Sequence, residues 1–194
     1  MSTPHPYSVS TFMLLDGGVM SDMVEALSGS WQPTDESDDV RRSRLVCAAR
    51  LRLYGEIDRS SWYLCTTRSI HDRLPHEGHG GWVVSLVATV DSYDDSPADD
   101  DVAALVKTYI GEQELDEANA DVLAHAVLYE PVKYLVTNDV RSYKHNRDHD
   151  LPSRLEIITP ADAVDMLELV KGEEPLSEPP PDWPNPDVDA WWIP

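Results

Sequence analysis

The chain has few of the features that would assign it quickly, and each shortage excludes something. Its 194 residues contain two cysteines, Cys47 and Cys65, with no Cys-x-x-Cys pair. That argues against a disulfide framework and leads us to expect a reduced, cytoplasmic setting. No apolar run approaches the roughly 20 residues of a membrane span. The start of the chain also lacks the charged, apolar and small-residue pattern of an export signal, so a chain neither embedded nor exported is expected. Cations are scarce: 15 Lys and Arg stand against 36 Asp and Glu, a formal charge of −21. Such a surface repels polyanions at long range and counts against a strong non-specific nucleic-acid binder. Neither GxGxxG nor GxxxxGK[ST] occurs, so Gly17 and Gly18 do not form a phosphate loop.

What is present is a regular alternation of apolar segments. A hydrophobic content of 41% supports one ordinary core, assigned to residues 1–171. "FMLL" at 12–15 reads as a buried strand ending at Asp16, followed by the amphipathic "VMSDMVEAL" and the acidic loop "SWQPTDESDD". In "VRRSRLVCAARLRLYGEI" helical spacing brings Val40, Leu45, Ala48, Ala49 and Leu53 to one face and arginines to the other. "WYLCTT" reads as a strand, "RSIHDRL" as a short helix stopped by Pro75, and Gly78, Gly80 and Gly81 as a loop. "WVVSLVATV" is ambiguous, with a strand favoured toward its end. The helices "VAALVKTYI" and "DEANADVLAHAVLYE", the strand "VKYLVTND", the polar loop "RSYKHNRDHDLPSR", the strand "LEIIT" and the helix "PADAVDMLELV" complete the order. This alternation predicts an α/β protein, a three-layer α/β/α Rossmann-like fold with a mostly parallel central sheet. Residues 172–194 break the rhythm with seven prolines and three tryptophans, and an extended acidic strap is expected there.

In an open parallel sheet, ligands gather at the carboxyl ends of the strands. Asp16 and Asp139 follow two such strands, and Asp121 sits near the start of the helix that crosses over to the second. Carboxylates collected without cations repel, and such a cluster persists when a divalent ion or a proton compensates it. An all-oxygen set points to Mg²⁺ or Mn²⁺ and to hydrolysis. Taken singly, each Asp is also an ordinary helix cap or turn former. Eleven of the fifteen cations fall in two segments, Arg41 to Arg59 and Lys133 to Arg154, whose commonest use is pairing with surplus surface acids.

"ADVLAHAVLYEPVKYLVTNDVRSY" resembles the C-terminal half of PIN domains, "FMLLDGGVMSDM" resembles their opening strand, and "LEIITPADAVDML" their closing strand and helix. The likeness spans roughly residues 10 to 170 and implies a PIN-like fold and metal-dependent cleavage of phosphodiester bonds, usually in RNA. It places Asp16, Asp121 and Asp139 on acidic positions holding Mg²⁺ or Mn²⁺, with Asp72 where the family has a Glu one methylene longer. Glu77 is a poorer substitute because Pro75 separates it from the helix. Thr137 would support a ligand carboxylate, and Arg141, Lys144 and Arg147 would neutralise the substrate backbone. Further implications are an antitoxin-like protein partner, as in toxin–antitoxin pairs, and homodimerisation. The competing expectation is a PIN-like binding or scaffold module without catalysis. A zinc site at His71, His76 and His79, or at His145 and His149, is a minor alternative with loose spacing, and His125 reads as a packing or hydrogen-bonding residue.

Overall fold

The computed structural model describes residues 11–27, 37–57, 62–85, 87–144 and 151–171. Five strands, β1 (Thr11–Leu15), β2 (Trp62–Thr66), β3 (Ala88–Thr89), β4 (Val132–Val136) and β5 (Glu156–Ile158), form one sheet in the order β3-β2-β1-β4-β5. Every pairing is parallel. The helices are α1 (Gly17–Leu27), α2 (Asp39–Ile57), α3 (Arg68–His71), α4 (Gly78–Ser85), α5 (Asp99–Gln113), α6 (Glu117–Leu128), α7 (Val140–Lys144) and α8 (Pro160–Lys171). α1 packs on α2 and α4, and α2 on α8, while α6 packs on α5 and α3. Helices flank the sheet, which gives the three-layer Rossmann-like architecture.

Strand β1 is central because it can be. Met13, Leu14 and Leu15 have no solvent exposure, and a strand covered on both faces needs a continuous apolar run rather than an alternating one. Alternation survives in the aromatic pairs. Phe12 stacks on Tyr63 at 5.1 Å on one face, and Trp62 stacks on Tyr134 at 5.8 Å on the other. Helix α1 buries Val19, Met20, Met23, Ala26 and Leu27, a stripe at steps of three and four.

Three local readings need correction, the glycine loop, the polar loop after Asp139 and the placement of Val40, while the ambiguous "WVVSLVATV" is resolved as expected. Gly78, Gly80 and Gly81 open helix α4 instead of forming a loop. A Cβ on Gly81 would stand 2.3 Å from the carbonyl carbon of His76, so this glycine serves a close approach of backbone to helix, while Gly78 takes up a positive φ of 65°. The strand expected late in "WVVSLVATV" is there at Ala88–Thr89, but the segment before it, through Ser85, is helical. The polar loop after Asp139 begins with helix α7, anchored by Tyr143, which is fully buried and donates its hydroxyl to Asn119 Oδ1 at 2.8 Å. Val40, assigned to the apolar face of α2, is 71% exposed. The expected strap at 172–194, Arg147, His145 and His149 lie outside the described residues.

Candidate active site at the carboxyl edge of the sheet

Asp16 is the first residue after β1, and its amide donates to Val136 O at 3.1 Å, so the end of β1 is tied to the end of β4. It is 6% exposed and serves as the cap of α1, accepting the Val19 amide on Oδ1 at 2.8 Å. Gly18 lies close beside this cap: a Cβ there would stand in ordinary van der Waals contact with Asp16 Oδ1, at 3.4 Å. Burial pushes the Asp16 carboxyl above its ordinary value, against the opposing hydrogen bonds from Thr137, Val19 and Gly18, and the nearby Asp22 charge adds to the rise. Among the described residues no cation pairs with it.

Thr137, fully buried at the end of β4, links two of the acids. Its hydroxyl donates to the Asp16 side chain and accepts the Asp139 amide at 2.9 Å. Asp139 in turn caps α7, accepting the Ser142 amide at 3.1 Å and the Ser142 hydroxyl. Those two bonds hold its carboxyl below the usual range. Asp139 is largely solvated, as a residue at a rim should be.

Asp121 approaches the same edge from the other side of β1, because α6 runs back against the strands and brings its first turns to their carboxyl ends. Ser69, just past β2, donates to its Oδ2, and Thr67 and His125 also bond it. His125 Nδ1 lies 3.3 Å from Asp121 Oδ1 and 2.9 Å from its backbone oxygen. Burial alone would raise the Asp121 carboxyl, but the bonds from His125, Ser69 and Thr67 and the His125 charge outweigh it and hold it below the usual value. For His125 burial acts downward, and the Asp121 carboxylate, helped by Asp91, overcomes it and raises the imidazole above 6.5.

Comparison with family models, curated proteins and solved structures gave no match. The geometry alone therefore carries the functional reading.

Asp16, Asp121 and Asp139 share one edge of the sheet, yet among the described residues their donor atoms do not all fall within 4.8 Å of one another. Asp72 stands apart from them. Helix α3 ends at His71 with short bonds from Arg73 to Ile70 O at 3.0 Å and from Leu74 to His71 O at 3.2 Å, so Asp72 is left exposed at the turn. Its carboxylate lies 3.6 Å from His71 Nδ1. Beside the acids a cleft of about 360 Å³ opens between α1, the α3 turn and α6, lined by Gly17, Gly18, Ile70, Arg73, Asn119 and Val122 among others.

Several cations among the described residues serve the fold. Arg44 makes a forked pair with the buried Asp22 at 2.9–3.0 Å, Arg41 pairs with Glu25, and Arg42 with Asp39 at 2.6 Å. Arg154 donates to the carbonyls of Ala126, Val127 and Val132, closing the end of α6. At the rim, Arg141 is exposed on α7 beside Asp139, Lys144 belongs to the same helix, and Arg73 lines the cleft. Sequence reasoning gave no role to Asp22, Asn138, Ser69, Thr67 or Arg73. Asn138 donates to Asp22 Oδ2 at 2.7 Å across 116 positions, a link that no local pattern announces. The hydroxyl pair Thr67 and Ser69, bonded at 2.9 Å, had one legible sign: two small polar residues directly after a strand, at the edge where Asp16 was expected.

Proposed function

We propose that the protein is a metal-dependent endonuclease hydrolysing phosphodiester bonds, in RNA before DNA, with Asp16, Asp121 and Asp139 as the acids of a PIN-like site. The observation that carries this is Asp16: a buried carboxylate at the point where the sheet order reverses, joined through one hydroxyl to Asp139, and without a described cation to compensate it. A fold retains such a charge at a cost, and a cation supplied from solution offsets that cost.

The donor set fits Mg²⁺ or Mn²⁺ in chemistry, since all three are carboxylates. The spacing also suits an ion that keeps several waters and takes only one or two carboxylates directly. When bound, the ion supplies Lewis-acid polarisation of a phosphoryl oxygen and a more acidic water. Asp16 and Asp139 would hold it, Thr137 keeping both in register through its single hydroxyl. Asp121, oriented by Ser69, Thr67 and His125, would accept a proton or hold a second-layer water. Arg73 in the cleft and Arg141 at the rim would neutralise the phosphate backbone, a local need in a chain of net charge −21. An antitoxin-like partner would supply cations to the same rim, and a homodimer remains part of the proposal through the resemblance alone.

One specific observation favours the scaffold reading. Each acid already has work inside the chain, with Asp16 capping α1, Asp139 capping α7 and Asp121 paired with His125. Incubation of purified protein with mixed RNA and Mn²⁺ or Mg²⁺, beside Asp121→Asn and Asp139→Asn, separates the two. Metal-stimulated cleavage lost in both variants supports the nuclease. Absence of cleavage by the unaltered protein, with correct folding, supports the scaffold.

A further inference from the structure

We propose a second metal site, for a transition-metal ion such as Zn²⁺ or Co²⁺, formed by His71, Asp72 and His76. One donor atom from each lies within 4.8 Å of those of the other two, the only such group among the described residues. The imidazole rings stand 5.2 Å apart and tilted, and Asp72 Oδ1 is 3.6 Å from His71 Nδ1. An ion between them would require adjustments of side-chain rotamers at the surface, where His71 and Asp72 are 25% and 67% exposed and free to make them.

Two features of the backbone hold the donors near one another. The tightened end of α3 fixes His71 and Asp72 through bonds from Asp72 to Arg68 O at 2.9 Å and from Leu74 to His71 O at 3.2 Å. His76 is fixed from the other side, because α4 presses Gly81 against its carbonyl, and Gly80 lies so near Pro75 that an added Cβ would stand 2.8 Å from Pro75 Cγ. Bringing two histidines and a carboxylate together on one short segment thus costs little further chain entropy.

The chemistry selects the ion. Two imidazoles with one carboxylate suit Zn²⁺, Co²⁺ or Ni²⁺ and suit Mg²⁺ poorly, in contrast to the all-oxygen set around Asp16. Three protein ligands leave a fourth position for water or a further group. The site borders the cleft, since Ile70, Arg73 and Leu74 line it and flank the proposed ligands. An ion here would tie the end of α3 to the turn before α4 and stiffen that wall.

The test is isothermal titration calorimetry of the full chain, stripped with EDTA, against Zn²⁺, Co²⁺ and Mg²⁺, with visible absorption recorded for Co²⁺. We expect one equivalent of Zn²⁺ and a Co²⁺ ligand-field band, and no comparable Mg²⁺ binding at these residues. His76→Gln should weaken Zn²⁺ binding at least about tenfold, the loss that follows from disturbing even the outer partners of a metal ligand. His71→Gln/His76→Gln should abolish the band, with circular dichroism confirming the fold. Asp16→Asn/Asp139→Asn should leave Zn²⁺ binding intact, so this proposal and the nuclease reading can fail independently. Zn²⁺ bound equally well by the double histidine variant, or not bound at all by the unaltered chain, would overturn it.

Discussion

Replacing Asp16 by Asn should make the metal-free protein more stable while removing the activity proposed for it. Asp16 is buried, its carboxyl is raised above 3.8 first by burial and further by Asp22, and its cap to Val19 uses one oxygen at 2.8 Å. Asn caps a helix about as well as Asp, so that bond persists. The Thr137 hydroxyl has two lone pairs and can turn to accept from the new amide while still accepting from Asp139. What disappears is the buried charge. The sign follows from linkage: a raised carboxyl means the folded state keeps its proton to higher pH than the unfolded chain. Stability then falls as pH rises from 3.8 through the folded value, and at neutral pH the Asp16 charge opposes folding. Asp16→Asn should therefore gain on the order of 1 kcal/mol at neutral pH, or about 2–4 °C in Tm for a chain of this size. The gain should vanish near pH 3, where both states are protonated. Asp16→Ala loses the cap as well as the charge, and the cap alone is worth about 1 kcal/mol. The assay is urea and thermal unfolding in EDTA at both pH values, repeated with Mn²⁺, which should stabilise the unaltered protein and leave Asp16→Asn unmoved. An Asn variant no more stable than the parent at neutral pH, or more stable by the same amount at both, would refute the reasoning.

Thr137→Val keeps the shape but leaves the Asp139 amide without its acceptor and Asp16 without its donor, so a loss of about 1–3 kcal/mol is expected, measured by urea unfolding. RNA cleavage should fall with it. His125 should titrate above 6.5 by NMR, and Asp121→Asn should bring it down. Because His125 is raised and Asp121 lowered, their pair stabilises the fold between the two values, fading as pH rises through the folded His125 value or falls through that of Asp121. Gly81→Ala places a methyl group 2.3 Å from the His76 carbonyl carbon and should cost roughly 1–3 kcal/mol in thermal or urea unfolding.

The fold was legible because its signals are local and repeated. β1 carries the apolar run Phe12–Leu15 and β4 the run Tyr134–Val136, and Pro160 opens α8 where a missing amide costs little. Where reading failed, short-range grammar was overruled by a neighbour. Three glycines near Pro75 look like a loop, yet they open α4, where Gly81 passes the backbone of His76 and Gly80 packs against Pro75. A run of polar residues after Asp139 conceals a helix whose start is set by the Asp139 cap, which accepts from Ser142, and whose one turn is held by the burial of Tyr143. The arginines of α2 were expected to pair with surplus acids, and they do, but only the structure shows that the partners of Arg41 and Arg44 lie on α1, so that the pairs join α1 to α2.

The order of the elements, the parallel sheet and the arrival of Asp16 and Asp139 at strand ends follow from the sequence, because apolar run length and alternation are properties of consecutive residues. Which side chains meet at that edge was decided only by the tertiary structure. Thr137 spanning two acids, Asn138 reaching Asp22, Ser69 meeting Asp121 and Asp72 turning toward two histidines all join residues through the crossover of strands or the end of a helix. Such meetings depend on how whole layers are stacked and where a short helix stops, and side-chain orientation over those few ångströms is not encoded in any one window of the chain.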